Sequence, residues 1–483
     1  MEIRHVVVVM LENRSFDHML GYLSLPPERG GRGRDMDGLT EEWLDRSVEV
    51  EGRTYAPRPL TRPALTESED PSHGGSDVHE QISGGMRGYV QNYIDTHPNL
   101  GDHGLVLEYC TASDVPVYDF LAEHYCVCDH WFSSVPGATW PNRLYALTGS
   151  SDGQRDNVVP PLYDGEAFVR HLDGHASWRW YSTDPGTLRA VDRRYRLVAD
   201  ERFASFEKPS LLASRTFFRD VKAGELAQLS WIDPNFVDLG GAPGANDDHP
   251  PASLLAGQEL VLKIYTALSR SELWDRTLLL VTYDEHGGFF DHVDPPEAED
   301  ESERMRRYGP RVPALIASPW IHPGFRESTV FDHTSIIKTA LKLFRPDAAD
   351  RIAGDMGRRV AAAADFLQVL DGSGPRPAPA IPDAVRDPIV EWRAQAARDA
   401  LENPVAAYAE GMSVVSPVKA VRRGLREILA GIGPAIRAAL SGQPRLIGYR
   451  PHETPVQGHT ELTQEMLSLA QHVRAEGLPP GRV

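Results

Sequence analysis

Cysteine is scarce in this sequence. Only Cys110, Cys126 and Cys128 occur among 483 residues, too few to build a disulfide framework in a chain of this length. Cys126 and Cys128 stand two positions apart, where an extended segment points both side chains to one face. We interpret all three as small buried apolar residues rather than as a metal or redox site.

Long apolar runs and an excess of basic residues are also missing. No run approaches the ~20 residues that span a bilayer, and the apolar stretch after Met1 is too short and too soon acidic to be the core of a secretory leader. We therefore expect a protein of the cytoplasm. The 50 Lys+Arg against 69 Asp+Glu give a formal net charge of −19, which argues against a general nucleic-acid-binding protein and weakens electrostatic docking on anionic membranes.

The sequence does contain short β-branched runs separated by helix-like stretches. Residues 5–12 and 278–285 are continuous apolar runs, typical of strands buried on both faces, and 229–233 and 312–318 are weaker candidates. Helices are predicted at 141–147, 252–270 and 334–343. This alternation predicts an α/β fold whose central, mostly parallel sheet is covered by helices on both faces.

Composition divides the chain into three parts. Residues 1–371 form the predicted main domain, in which the Gly- and Pro-rich segment 30–99 is interpreted as a functional insertion over the sheet. A Pro/Ala-rich linker is predicted at 372–388. Residues 389–483 are predicted to form a C-terminal helical appendage.

Within the appendage, helices are predicted at 389–401 and 416–440, and Pro434 interrupts the second one. The second segment carries apolar residues at helical spacing, namely Val421, Leu425, Ile428, Leu429 and Ile432. We expect the appendage to pack on the main domain, on a partner or on a second copy. A helix lying on a membrane surface stays open as an alternative, because basic residues accompany the apolar ones: Lys419, Arg422, Arg423 and Arg426.

The two clearest strands end in a similar way. The first runs into Glu12-Asn13 and the second into Asp284-Glu285. Since ligands sit beyond the carboxyl ends of parallel strands, the two pairs should converge, and their oxygen atoms suit a divalent cation. Either pair alone would be better explained as a helix cap, whereas both together favour a metal site.

Thr139 precedes Pro141, which is well placed in the first turn of a helix. The N-terminus of that helix would offer free N–H groups and the positive end of the dipole to a phosphate. A threonine hydroxyl at this position could act as a nucleophile if a metal lowers its pKa. Taken alone, the residue would be a plain helix cap.

Histidine and aromatic residues supply the remaining candidates. His73, His249, His286 and His292 lie near acids and beside Gly- or Pro-rich turns, where a histidine can bind a phosphoryl oxygen or protonate a leaving group. The segment WRWY contains three aromatic residues that could wall a substrate pocket, although such residues more often belong to a core: Trp178, Trp180 and Tyr181.

Six segments together carry a resemblance to a known family: HVVVVMLENRSFDHMLGYL at 5–23, DPSHGG at 70–75, CDHWFSSVPGATWPNRLYALTGSSDG at 128–153, DDHPPASLLAGQELVLKIYTAL at 247–268, WDRTLLLVTYDEHGGFFDHV at 274–293 and RYGPRVPALIASPWI at 307–321. They resemble the phosphoesterase family, which holds bacterial phosphatidylcholine-type phospholipases C, plant non-specific phospholipases C and an acid phosphatase branch. The match runs in chain order over residues 3 to 345 and does not visibly extend past the linker.

The resemblance implies an alkaline-phosphatase-like fold and a set of roles. Glu12-Asn13 and Asp284-Glu285 match the two metal-ligand pairs, and Thr139 falls where the family places its Ser or Thr nucleophile. The other implied positions are Asn142 in the P-N motif, His73 and His249 as histidines that hold the phosphoryl group, and His286 and His292 outside the first layer of ligands. The threonine is that of the plant branch, not the serine of the acid phosphatase branch.

The resulting hypothesis is a phospholipase C-like phosphoester hydrolase that works through a phospho-threonine and one divalent ion, with Thr139 as a further ligand of that ion. All-oxygen ligation favours Ca, Mg or Mn, while a nearby histidine leaves Zn or Fe open. The substrate is a phosphoester, with a phospholipid and a small soluble metabolite both open, and membrane contact is left undecided. The alternatives are a phosphomonoesterase, a phosphoester-binding relative without turnover, and a sulfatase or transferase.

Overall fold

The computed structural model describes residues 2–157, 162–183, 186–196, 200–209, 214–236, 245–372 and 374–402. The strands are β1 His5–Leu11, β2 Val48–Val50, β3 Arg53–Tyr55, β4 Arg58–Pro59, β5 Glu108–Tyr109, β6 Cys126–Cys128, β7 Trp178–Ser182, β8 Phe203–Ser205, β9 Leu229–Ile232, β10 Thr277–Tyr283, β11 Ala314–Ala317 and β12 Phe325–Glu327. The helices are α1 Phe16–Leu20, α2 Glu41–Asp45, α3 Gly75–Gln81, α4 Ser83–Met86, α5 Tyr89–Thr96, α6 Pro116–His124, α7 Thr139–Thr148, α8 Thr187–Val191, α9 Phe217–Ala223, α10 Leu254–Ser269, α11 Thr334–Phe344, α12 Ala349–Asp355, α13 Arg358–Ala362 and α14 Asp383–Glu402.

Eight of these strands form one twisted sheet in the order β12-β6-β11-β10-β1-β9-β7-β8. Every neighbouring pair is parallel except the two that involve β11. The centre of the sheet is β1 between β9 and β10, and these strands are buried along nearly their whole length. Continuous apolar runs predict such strands because both of their faces must be covered.

The helices form two groups. One group contains α6, α9, α10 and α14, which contact one another, and the other contains α7, α8, α11, α12 and α13. Since the central strands are buried on both faces, each group covers one face of the sheet. The predicted α/β class with a mostly parallel central sheet is confirmed.

Two stretches differ from what their sequence patterns predict. The insertion at 30–99 contains helices, among them α5, and the hairpin of β2 and β3. The WRWY segment is strand β7, which the mixture of aromatic residues and Arg179 concealed, because Arg179 interrupts the apolar pattern.

The C-terminal helix α14 covers the helix predicted at 389–401 and begins earlier, at Asp383, within the predicted linker. Val385 and Ile389 are buried, and α14 contacts α6 and α10. The predicted helix at 416–440 lies outside the described residues. Within the described ranges, none of the helices combines the length and the apolar character that crossing a bilayer requires.

Candidate active site

The two predicted ligand pairs, Glu12-Asn13 and Asp284-Glu285, lie together at the carboxyl edge of the sheet. Strands β1 and β10 are parallel neighbours with Leu11 paired to Tyr283, so Glu12-Asn13 and Asp284-Glu285 leave the sheet side by side. The backbone N–H of Asn13 donates to Oδ1 of Asp284 at 3.1 Å. The structure therefore brings together the four residues that the sequence predicts as metal ligands.

The backbone conformation of Asn13 brings the segment after β1 close to the segment after β10. Asn13 has a φ of +62°, a left-handed conformation that asparagine tolerates better than most residues. A Cβ on Gly287 would come within 2.2 Å of the Asn13 carbonyl oxygen, so only glycine fits there. The backbone of Asn13, which follows β1, therefore passes so close to residue 287 that a glycine is required there.

Two oxygens in this group lack donors. Oδ1 of Asn13 and Oε1 of Glu285 are buried and accept no hydrogen bond, although Oε2 of Glu285 accepts one from the Gly287 N–H at 2.7 Å. A buried acceptor left without a partner costs about 1–3 kcal/mol. Carboxylate and amide oxygens are ligands for hard divalent cations, so these residues fit such an ion.

Asp284 is fully buried. Burial raises the pKa of Asp284 to about 8, although the Arg143 guanidinium opposes this shift. A divalent cation would favour the ionised carboxylate in the same way as Arg143 does. The Asp284 carboxylate thus lies where additional positive charge would favour its ionised form.

Thr139 is the first residue of α7, two positions before the predicted helix start, and it is 7% exposed. Among the described residues, its hydroxyl makes no hydrogen bond and is not sealed from solvent. The preceding turn is held by Asn142, whose amide donates to the carbonyls of Val135, Gly137 and Ala138 and accepts from the Val135 N–H. Asn142 therefore supports the turn that presents Thr139.

Arg143 lies one helical turn after Thr139 and was not predicted from the sequence. Its Nη2 is 3.2 Å from Oε1 of Glu12, and its Nε is 3.2 Å from Oδ2 of Asp284. The signal in the sequence was a lone arginine one turn after the candidate nucleophile, in a helix otherwise free of charge. We call Arg143, Glu12, Asn13, Asp284 and Glu285 the Arg143 cluster.

His249 lies between two carboxylates. Its Nδ1 is 3.2 Å from Oε2 of Glu12, and its Nε2 is 3.0 Å from Oδ2 of Asp70. Burial opposes protonation, but Asp70 and Glu12 outweigh it and raise the pKa of His249 well above its ordinary value. Asp70 was also missed in the sequence, where it is one of several acids before His73.

His73 stands beside the two unpartnered oxygens. Its Nε2 is 3.2 Å from Nδ2 of Asn13 and 3.8 Å from Oε1 of Glu285. The ring centroids of His73 and His249 are 5.9 Å apart. Both predicted histidines therefore lie beside members of the Arg143 cluster.

His286 and His292 lie in different surroundings. His286 is buried, with Nδ1 3.4 Å from Oε2 of Glu285 and Nε2 2.8 Å from Oε1 of Gln81. It therefore lies between Glu285 and Gln81. His292 has its Nδ1 2.6 Å from Oδ2 of Asp17 and contacts no member of the Arg143 cluster.

His292 belongs to a second group of buried charges. Asp17, Asp291 and His292 offer ligand atoms within 4.8 Å of one another. Arg311 lies among them, with Nε 2.9 Å from Asp291 and Nη2 3.1 Å from Asp17. We call Arg311, Asp17, Asp291, His292 and Asp37 the Arg311 cluster.

The WRWY aromatic residues occupy the core. Trp178, Trp180 and Tyr181 are 3%, 0% and 0% exposed. Trp180 stacks on Trp231 with centroids 4.9 Å apart and donates from Nε1 to Asp233 at 2.6 Å. Because these side chains are covered on every side, we assign them to packing and not to a pocket wall.

The sequence was compared with known proteins. The model of the family described as "Phosphoesterase family" matches residues 3–345. Non-specific phospholipase C6 of Arabidopsis thaliana is 33% identical over 374 residues, covering 71% of this chain and 68% of its own. Non-specific phospholipase C3 of the same plant is 32% identical and covers 71% and 69%. Phospholipase C B of Mycobacterium tuberculosis is 30% identical and covers 70% and 72%.

Solved structures align more distantly. The lipoteichoic acid synthase LtaP of Listeria monocytogenes is 9% identical, with a TM-score of 0.32, and covers 71% of this chain and 72% of its own. A protein of the alkaline phosphatase superfamily from Vibrio parahaemolyticus is 9% identical, with a TM-score of 0.28, and covers 59% and 68%.

Proposed function

Since the chain belongs to the phosphoesterase family and is a phosphoric ester hydrolase of the phospholipase C type, we propose that it cleaves phosphoesters with Thr139 as the nucleophile and one divalent cation in the Arg143 cluster. The observation that carries this proposal is the pair of buried, unpartnered oxygens on Asn13 and Glu285. They lie at the carboxyl edge of the sheet, near the helix that begins at Thr139.

The cation would be held by Glu12, Asn13, Asp284 and Glu285. When bound, it supplies positive charge to the phosphoryl oxygens and lowers the pKa of a neighbouring hydroxyl. The donor set contains only oxygens, which supports Ca²⁺, Mg²⁺ or Mn²⁺, while His73 beside it leaves Zn²⁺ or Fe open.

Thr139 would attack phosphorus in line, forming the Oγ–P bond as the bond to the leaving alcohol breaks. The N-terminal end of α7 places its dipole beside the attacking oxygen. His249, held protonated between Asp70 and Glu12, and His73 would stabilise the charge on the equatorial oxygens. A histidine proton then goes to the departing alkoxide, and water hydrolyses the phospho-threonine.

A phospholipid is the substrate class that the relatives support. Those proteins are named non-specific phospholipases C and phospholipases C. Cleavage of this type releases the lipid alcohol first and leaves the phosphorylated headgroup on Thr139 until water enters.

The test of the nucleophile compares Thr139→Ala with Thr139→Ser. The alanine variant should lose turnover by a factor of about 10³ or more, because the attacking oxygen is gone, and it should keep its metal. The serine variant should retain a phosphorylatable hydroxyl, and mass spectrometry of quenched reactions should find the phosphoryl adduct on residue 139. Near-normal turnover in Thr139→Ala would remove Thr139 from this role.

The test of the substrate is a panel of one chromogenic alcohol esterified as a phosphomonoester, a phosphodiester and a phosphocholine ester. The three are assayed with Ca²⁺, Mg²⁺ or Mn²⁺ at controlled concentration. We expect the diesters to be preferred. A strong preference for the monoester would instead support a phosphomonoesterase, and binding without product would support a relative that does not turn over.

A further inference from the structure

Arg143 links helix α7, which begins at Thr139, to Glu12 and Asp284 at the ends of the two central strands. It is 1% exposed and occupies the fifth position of α7. Residues four apart on a helix share a face, so Arg143 and Thr139 face the same side. The guanidinium therefore lies on the same helix face as the hydroxyl that the proposed mechanism uses, one turn further along α7.

The contacts of Arg143 reach the ends of two strands at once. Beyond its ion pairs with Glu12 and Asp284, its Nη2 donates to the carbonyl oxygens of Met10 and Leu11, both at 3.3 Å. One planar side chain thus fixes the exit of β1, the exit of β10 and the start of α7 relative to one another.

The same contacts decide which oxygens remain open. Arg143 takes Oε1 of Glu12 and Oδ2 of Asp284, and the backbone N–H groups of Asn13 and Glu285 donate to Oδ1 of Asp284. The two oxygens without donors, on Asn13 and Glu285, are not contacted by Arg143. A divalent cation would therefore meet ligands that are already oriented.

We propose that Arg143 is a positioning residue, which holds Thr139 and the two acidic pairs in register and so sets both divalent-cation affinity and turnover. This inference rests on the proposed function. The separation of the donors is essential to it, because Nε contacts Asp284 while Nη2 contacts Glu12 and two carbonyl oxygens, whereas the ammonium group of a lysine presents one point charge.

Arg311 offers a matched control. It is also fully buried and also bridges two carboxylates, Asp17 and Asp291, and neither residue belongs to the Arg143 cluster. Replacing either arginine by lysine removes the same fork from the same kind of environment. A purely structural role would therefore give the two variants the same behaviour.

The experiment measures thermal unfolding, Mn²⁺ binding by calorimetry, and kcat and KM for a chromogenic phosphodiester at saturating Mn²⁺. Wild type, Arg143→Lys, Arg143→Gln and Arg311→Lys are compared. We expect Arg143→Lys to weaken Mn²⁺ binding about 10-fold or more and to lower kcat about 10-fold or more, the size typical of residues that orient metal ligands. KM should change less than kcat, and Arg311→Lys should leave Mn²⁺ affinity and kcat within about threefold of wild type.

The proposal is overturned if Arg143→Lys keeps both Mn²⁺ affinity and kcat within threefold of wild type. It is also overturned if Arg311→Lys reduces them equally. If the lysine variant does not fold, Arg143→Gln, which replaces the buried charge by a neutral amide, is measured in the same way. Its Mn²⁺ affinity and kcat should fall further than those of Arg143→Lys. Failure of the proposed function would give a different result: wild type would lack phosphodiesterase activity, or Thr139→Ala would keep full activity. In either case, the Mn²⁺ affinity of the Arg143 variants would still test the role of Arg143.

Discussion

Two buried arginines bridge pairs of carboxylates in this molecule, and the two clusters differ in how their oxygens are satisfied. In the Arg311 cluster, all four carboxylate oxygens of Asp17 and Asp291 accept hydrogen bonds from protein donors. In the Arg143 cluster, Oδ1 of Asn13 and Oε1 of Glu285 accept none.

From this difference we expect a cation to bind in the Arg143 cluster and not in the Arg311 cluster. The Arg311 cluster has ligand atoms close enough for a metal, yet no carboxylate oxygen of its Asp17 and Asp291 lacks a protein donor. Proximity of acids alone is therefore a poor criterion, since buried carboxylates are regularly paired within a protein. In the Arg143 cluster, proximity is combined with two unsatisfied oxygens, on Asn13 and Glu285.

The largest expected effect comes from removing one acid from each cluster. Asp284→Ala should lose bound metal and lower turnover by about 10³-fold or more, because a ligand and the partner of Arg143 disappear together. Asp291→Ala should cost about 3–5 kcal/mol of stability, as expected when a buried pair is broken, with turnover of the folded protein within threefold. Elemental analysis, urea unfolding and steady-state kinetics check both. Full metal occupancy in Asp284→Ala would show that the ligand set is wrong.

A pH titration tests the Arg311 cluster by itself. Burial disfavours the charged form of His292, but Asp17 and then Asp37 overcome this and raise its pKa to about 9. Because the folded pKa exceeds the unfolded value of about 6.5, the stabilisation is fully present below pH 6.5 and is lost as the pH rises through about 9. It should amount to about 3 kcal/mol.

The measurement is the free energy of unfolding from pH 6 to 10 for wild type and His292→Gln. The difference between them should shrink over that range. Arg311, Asp17 and Asp37 surround the imidazole and are unchanged in the variant. A difference that stays constant would mean that His292 is not charged in the folded protein.

Metal addition tests the Arg143 cluster through the same quantity, the free energy of unfolding. Mn²⁺ at one hundred times its dissociation constant should stabilise wild type by about 2.7 kcal/mol. Glu285→Gln should abolish most of this gain, since it removes a charged ligand, whereas Asp17→Asn should keep it. Thermal unfolding with and without Mn²⁺ reports both, and stabilisation lost in Asp17→Asn but kept in Glu285→Gln would reverse the roles of the two clusters.

The smallest effect concerns the aromatic strand. Trp178→Phe removes the hydrogen bond from Nε1 to Asp173, at 3.0 Å, and should cost about 1 kcal/mol of stability. KM for the phosphodiester should stay within twofold, because the side chain is part of the core. A tenfold rise in KM would restore the earlier interpretation of this segment as a pocket wall.

The sequence predicts the centre of this architecture because the relevant signals are local. Apolar runs followed directly by Glu12-Asn13 and by Asp284-Glu285 mark strands β1 and β10 and the predicted ligands at their ends. Pro141 likewise marks the helix that presents Thr139.

What the sequence does not predict depends on contacts between distant residues. Arg143 is one of many arginines until α7 is docked on the ends of β1 and β10. Asp70 is one of several acids until its loop meets His249. Strand β7 was hidden by Arg179, whose polar end reaches Asp220 at 2.7 Å while its neighbours are buried.

We expect one divalent cation to bind in the Arg143 cluster and none in the Arg311 cluster. The most direct test is an anomalous difference map from crystals soaked in Mn²⁺. We predict a single strong peak within about 2.0–2.6 Å of Oδ1 of Asn13 and Oε1 of Glu285. A peak among Asp17, Asp291 and His292, or no peak at Asn13 and Glu285, would contradict the account.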